Sequence, residues 1–216
     1  MSSLDVIGRH KAPRRMIVGI TGATGIIYGV RLLGVLRALG IETHLVVTKA
    51  GELTRAHETD LSADELRGMA DFAYSPGEIG AALASGSFRT MGMVVAPCTI
   101  RTLSEIATGA TSNLLTRAAD VTLKERRRLV LLVREFPLHG GHLKSMLAVT
   151  ELGGIVAPPV PAFYTRPQTV EDIVDQTIGR VLDLFDLEAG TFPRWGETIA
   201  LTTPAGRKSA TDSVTR

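Results

Sequence analysis

The sequence is short of several things at once. It has one cysteine, Cys98, and one tryptophan in 216 residues. A lone cysteine leaves no internal disulfide, and no Cys/His cluster has the spacing of a zinc site, which fits a reducing cytoplasm and predicts no bound metal. An excess of charge of one sign is missing too. The 24 basic and 22 acidic side chains leave a formal +2, so the surplus that marks nucleic-acid or anionic-membrane partners is absent and any affinity for an anion has to be local. Long apolar runs are also lacking. The basic residues Arg9, His10, Lys11, Arg14 and Arg15 are followed only by the short apolar run at 16–20, too short for the core of a signal peptide or for a membrane span.

What is present describes an ordinary globular chain, 44% hydrophobic and 21% charged, which excludes disorder and fibrous folds. Its length suits one sizeable α/β domain. The expected organisation is an N-terminal extension (1–15), one domain (16–188) and a C-terminal segment with a Thr/Ser-rich tail (189–216). Valine- and isoleucine-rich runs at 16–20, 43–47, 93–96, 129–133 and 155–157 are bounded by Gly, Pro or polar residues, the pattern of strands buried on both faces in a parallel sheet. Helical spacing lies between them, clearest at 26–39, where Ile26, Val30 and Leu33 share one face, and a last long helix is expected over 170–187. Alternation of this kind predicts a three-layer α/β/α, doubly wound, mainly parallel sheet of the flavodoxin or Rossmann type. Ligands of such sheets sit beyond the carboxyl ends of the strands. Functional residues are therefore sought at 21–25, 48–51, 97–102, 134–141 and 158–164.

The first of these loops, Thr-Gly-Ala-Thr-Gly (21–25), joins a strand to a helix. Free N–H groups and the helix dipole make such a turn a natural seat for a phosphate, with the hydroxyls of Thr21 and Thr24 as extra donors. The spacing of Gly22, Gly25 and Gly29 is neither a dinucleotide fingerprint nor a P-loop, and the same glycines would equally serve a tight turn with close helix packing. A second hydroxyl-rich loop, Pro-Cys-Thr-Ile-Arg-Thr (97–102), again leads from strand to helix and can face the same crevice. Cys98, with no histidine partner nearby in sequence, is expected to be a packed structural thiol. His139 and His142 form at best an incomplete metal pair.

Five blocks carry a resemblance. Thr-Gly-Ala-Thr-Gly-Ile-Ile-Tyr-Gly-Val-Arg-Leu-Leu (21–33), Ala-Pro-Cys-Thr-Ile-Arg-Thr-Leu (96–103), Leu-Leu-Thr-Arg-Ala-Ala-Asp-Val-Thr-Leu-Lys-Glu-Arg-Arg (114–127), Arg-Glu-Phe-Pro-Leu (134–138) and Pro-Ala-Phe-Tyr-Thr-Arg-Pro (161–167) occur in order and resemble the signature blocks of the UbiX family of flavin prenyltransferases. Phe-Pro-Arg-Trp-Gly (192–196) resembles that family's closing segment. The resemblance implies a flavodoxin-like homo-dodecamer that binds FMN between subunits and needs no metal. It implies transfer of the dimethylallyl group of dimethylallyl monophosphate to N5 and C6 of reduced FMN, with the prenylated product passing to a UbiD-type decarboxylase.

By the same resemblance, FMN contacts fall on Gly22, Ala23, Thr24, Thr48, Thr99, Ile100, Arg101, Thr102, Arg117 and Arg134. The prenyl phosphate falls to Lys124, Tyr164 and Arg180, and catalysis to Thr24, Glu58, Glu135 and Lys124. Cations and hydroxyls suit a departing phosphate because they stabilise its developing charge, and a carboxylate at a strand end suits proton transfer. Taken alone, Lys124 with Arg126 to Arg128 reads equally as the solvated end of a helix, and Glu58 as an exposed helix-end acid. Thr24 stands where the family usually carries serine, which retains the hydroxyl and adds a methyl, and Phe136 replaces a smaller or polar residue. Two alternatives share the FMN site: an FMN-dependent cysteine decarboxylase, which would need a catalytic histidine that neither His44 nor His57 is placed to supply, and a non-catalytic FMN-binding module, which would have no use for Lys124, Tyr164 and Arg180 together.

Overall fold

Both faces of each central strand are apolar, and each face meets its own layer of helices. The computed structural model describes residues 14–190; the tail, the 192–196 element and all but the end of the N-terminal extension lie outside the described residues. Six parallel strands form one sheet: β1 (Arg15–Ile20), β2 (Glu42–Val47), β3 (Phe72–Tyr74), β4 (Gly92–Cys98), β5 (Arg128–Val133) and β6 (Ile155–Val156). Their spatial order is β3-β2-β1-β4-β5-β6. Without the three-residue edge strand β3 this is the flavodoxin order, with the switch point between β1 and β4.

The helices are α1 (Ile26–Ala38), α2 (Lys49–Glu58), α3 (Ala63–Gly68), α4 (Ile100–Ala107), α5 (Leu114–Lys124), α6 (Gly140–Glu151) and α7 (Val170–Asp183). Met16, Val18 and Ile20 of β1 pack with Leu32, Leu33 and Leu36 of α1 and with Val174, Ile178 and Val181 of α7. Ile17 of the same strand points the other way, into a core with Leu103, Leu115, Ala118 and Val149 from α4, α5 and α6. Alternation within one apolar run thus feeds two cores.

All five expected strands are present. The missed strand, β3, carries the half-exposed Phe72 and is too short for a period-two pattern to register. Two boundaries move. Arg15 belongs to β1, bonded to Glu42 at 2.6 Å, rather than to an extension, and the last helix stops at Asp183 rather than at 187.

Gly29 shows how closely α1 rides on the sheet. A Cβ there would lie 2.5 Å from the carbonyl oxygen of Ala96 and 2.7 Å from a methyl of Ile20. Alanine improves helix propensity by about 1 kcal/mol, but overpacking against backbone costs about 1–3 kcal/mol and valine costs more. Gly29→Ala is therefore expected to destabilise the fold by about 0–2 kcal/mol and Gly29→Val by about 3 kcal/mol or more, read from urea midpoints. A gain in stability for alanine would show that α1 lies farther from β4.

Candidate functional site

Because β1 leads to α1 on one face and β4 to α4 on the other, the chain parts above the switch point and leaves a crevice between two helix N-termini. Thr21 stitches the crevice floor: its hydroxyl donates to the Pro97 carbonyl and accepts from the Thr99 amide, each at 2.8 Å, and the residue is buried. Thr21 is therefore not the ligand donor expected of it, since its hydrogen is spent inside the protein.

The first loop departs further from expectation. Gly25 is the N-cap of α1, with φ 103°, and gives no side-chain cap; a left-handed residue at this point is tolerated best as glycine. The N–H groups of Gly25 and Ile26 instead donate to one oxygen of Glu58, at 2.9 and 3.0 Å. In this chain the anion held at the helix N-terminus is its own carboxylate, brought back from the last residue of α2. Partial desolvation pushes the Glu58 carboxyl up, but the Thr24 hydroxyl, the Ile26 and Gly25 amides and the charge of Arg134 outweigh it and hold it below its usual range. Thr24 keeps the hydroxyl contact that a serine would make. Gly22 serves close packing, for a Cβ there would meet that of Ala50 at 2.5 Å, and Ala23 beside it is buried.

Of the other expected flavin contacts, Thr48, Thr99 to Thr102 and Arg134 follow the carboxyl ends of β2, β4 and β5, whereas Arg117 lies within α5. Thr48 is the N-cap of α2, accepting from the Gly51 amide at 3.0 Å, which leaves its O–H to donate. Thr99 caps α4 by accepting from the Thr102 amide at 3.1 Å and donates to the Thr102 hydroxyl at 3.0 Å. Ile100 and Arg101 open that helix, where no preceding turn supplies carbonyls for their amides. The guanidinium of Arg101 is exposed and pairs with Glu105; that of Arg117, on α5, pairs with Asp120 at 2.6 Å. Arg134 and Glu135 follow β5 and are exposed. Hydroxyls, helix-opening amides and a cation at the carboxyl edge are donors suited to a flavin phosphate and its ribityl hydroxyls.

A cavity of about 330 Å³ opens past the end of β6, lined by Ala157, Val160, Tyr164, Gln176, Thr177 and Arg180 among others. Arg180 is exposed and donates to Asp183 at 2.7 Å; Tyr164 sits on a 3-10 turn, Phe163–Thr165, with its hydroxyl 3.3 Å from the Gln176 amide nitrogen. Sequence inspection passed over Gln176, although its place one helical turn before Arg180 was visible.

Lys124 is not brought to this cluster. It ends α5, next to the amino end of β5, and pairs with Glu125, so the fold sets it at the opposite edge of the sheet from Arg134 and Tyr164. Phe136 points outward, 84% exposed. Cys98 is fully buried, its thiol pushed far up by desolvation, as befits a packed thiol. His139 caps α6 by accepting from Gly141, and its ring lies 3.6 Å from that of His142. His44 is buried with both ring nitrogens occupied, by Tyr74 and Glu42.

Comparison with known proteins agrees with this geometry. A family model described as flavoprotein matches residues 7–182. A flavin prenyltransferase UbiX from Neisseria meningitidis is 55% identical over 182 residues, 84% of this chain and 96% of that protein. A solved UbiX structure in complex with FMN and dimethylallyl pyrophosphate superposes with a TM-score of 0.84 at 49% identity, covering 85% of this chain and 97% of that one. A structure described as a dodecameric FMN-dependent UbiX-like decarboxylase from Escherichia coli gives 0.82 at 49% identity, over 84% and 98%. With a crevice of flavin-type donors at the switch point and this similarity along most of its length, the chain belongs to the flavoprotein family, among the flavin prenyltransferases of the UbiX type.

Proposed function

We infer that this chain transfers the dimethylallyl group of dimethylallyl monophosphate to N5 and C6 of reduced FMN, and that the prenylated FMN serves a UbiD-type decarboxylase. The observation that supports this reading is a pair of sites: Thr24, Glu58 and Arg134, which interact beyond the strand ends, and the cavity past β6 that Tyr164 and Arg180 line. A redox or purely FMN-binding protein has no use for the second. A cysteine decarboxylase would need a free histidine near the flavin, and His44 is walled into the sheet.

In this scheme Arg134 and the opening amides of α4 hold the FMN phosphate, with Gly22, Ala23, Thr48, Thr99, Ile100, Arg101, Thr102 and Arg117 around the cofactor. Tyr164 and Arg180 grip the departing phosphate, whose negative charge grows as the allylic carbon–oxygen bond breaks. Glu58, bonded to Thr24, takes a proton at the flavin, and Glu135 moves one at the phosphate. Lys124, at the far edge of its own subunit, serves only by reaching into a neighbouring one. That accords with a homo-dodecamer, as do Leu143 and Leu147, one turn apart on α6 and 54% and 59% exposed, which offer apolar surface for subunits to cover. Among the described residues no helix is long and apolar enough to cross a membrane, and we place the enzyme in the cytoplasm.

Anaerobic incubation with reduced FMN and either dimethylallyl monophosphate or the diphosphate, followed by the mass of the flavin, tests this directly. The expected product carries one additional C5 prenyl unit, with the monophosphate the better donor. A flavin of unchanged mass with both donors overturns the assignment.

A further inference from the structure

Five helices of this chain end in the same turn, in which one residue is left-handed, its amide bonds to the carbonyl three residues back and the next amide to the carbonyl five back. At α1, α4 and α6 that residue is glycine: Gly40, Gly109 and Gly153, with φ of 64°, 70° and 93°. At the end of α5 and just after α7 it is Arg126 and Asp186, each at φ 56°. A side chain with a Cβ is strained in this conformation where glycine is not. Both exceptions line one cavity of about 590 Å³ at the amino edge of the sheet, where the carboxyl ends of α5, α6 and α7 meet the starts of β5 and β6. We propose that this cavity is a binding site for a small carboxylate with an apolar body, anchored by the Arg126 guanidinium.

The charges of the lining single out Arg126. Of three consecutive arginines, Arg127 is spent on the carbonyls of Gly86 and Phe88, at 2.6 and 2.7 Å. Arg128 reaches Asp186 at 3.5 Å and lies over the Phe185 ring. The Arg126 side chain is exposed and has no partner among the described residues. Nor does the helix end need it, because the carbonyls of Thr122 and Leu123 already accept the backbone amides of Arg127 and Arg126, each at 2.9 Å. A free guanidinium presents a planar fork that matches a carboxylate. Met91, Leu123, Leu152, Ile155 and Phe185 supply an apolar wall beside it. Asp186 and the negative ends of three helix dipoles face the same space, so one negative charge is accommodated and two are disfavoured. That selects a carboxylate over a phosphate monoester.

Benzoate is the probe, titrated into the full-length protein loaded with FMN, with binding read by ligand-detected NMR. It is expected to bind saturably with a Kd of about 1 mM or below. Benzyl alcohol, which lacks the charge, and phenyl phosphate, which carries nearly two, should each bind at least roughly tenfold more weakly. Arg126→Gly should weaken benzoate at least roughly tenfold while holding or raising the melting temperature, because it relieves the left-handed turn. An arginine that served only the helix end would not separate the two readouts in that way. Asp186→Asn should tighten phenyl phosphate by removing the opposing charge, and Arg180→Ala should leave benzoate binding as it is. The proposal is overturned by no saturable binding of benzoate at millimolar concentration, by an affinity unchanged in Arg126→Gly, or by displacement of benzoate with dimethylallyl monophosphate, which would place it in the cavity of Tyr164 and Arg180.

Discussion

Glu58→Gln is expected to cut kcat for FMN prenylation by about a hundredfold or more while leaving the fold within about 1 kcal/mol of wild type. Glutamine preserves the shape and still offers an oxygen to the Gly25 and Ile26 amides, now bonded at 2.9 and 3.0 Å, so the cap on α1 survives in weakened form. What disappears is the negative charge and with it the capacity to take a proton. Were Glu58 only a helix cap, stability would fall slightly and turnover would stay, and that result would remove it from the chemistry. Glu58→Ala goes further by stripping the two amides of their partner, so melting temperature and turnover should both drop.

The same contacts give the carboxylate a pH signature. Its folded-state pKa lies below the ordinary value, so the folded protein holds its proton less tightly than the unfolded chain does. The resulting stability is fully present above the unfolded carboxylate range, about pH 4.3, and is lost as pH falls through the lower folded value. Stability curves of wild type and Glu58→Gln should therefore meet in acid, separate as pH rises from the lower folded value to about 4.3 and keep that separation above it; curves that do not separate across this range would mean that the charge contributes nothing to the fold.

Arg180→Ala is expected to raise KM for dimethylallyl monophosphate by about ten- to a hundredfold, the worth of a charge-assisted bond to phosphate, and to spare FMN binding. The stability change should be small, because the pair with Asp183 that it breaks is at 2.7 Å but largely open to solvent on the arginine side, and exposed pairs contribute about 0–1 kcal/mol. FMN affinity measured by flavin fluorescence alongside KM makes the check. Equal loss of both ligands would mean that the cavity at the end of β6 and the switch-point crevice are one site, not two.

Much of this could be read from the chain because the relevant forces act between near neighbours. Apolar runs of strand length bounded by turn residues predicted five of six strands, since each central strand buries both faces. The helix following the first loop was legible from one face repeating every turn. β3 was not, because three residues, two of them exposed, carry no period. Among the candidate site residues, Thr48 and Thr99 were rightly placed at strand ends leading into helices, yet their capping bonds depend on local backbone angles. Thr21 was given a ligand's role because nothing in its neighbours shows Pro97 and Thr99 closing over it.

By itself, then, the sequence determined the layered α/β architecture, the five matching blocks and the strand ends at which ligand groups gather, all consequences of spacing within one element or between adjacent ones. Only the tertiary structure decided that a carboxylate 33 residues away caps α1 in place of a phosphate, that Lys124 lies at the wrong edge to serve its own subunit, and that Gln176 meets Tyr164 from another element, 12 residues on. Those outcomes depend on how α2, α5 and α7 dock on the sheet, and docking is set by the summed packing of many apolar side chains rather than by the polar residues that it brings together.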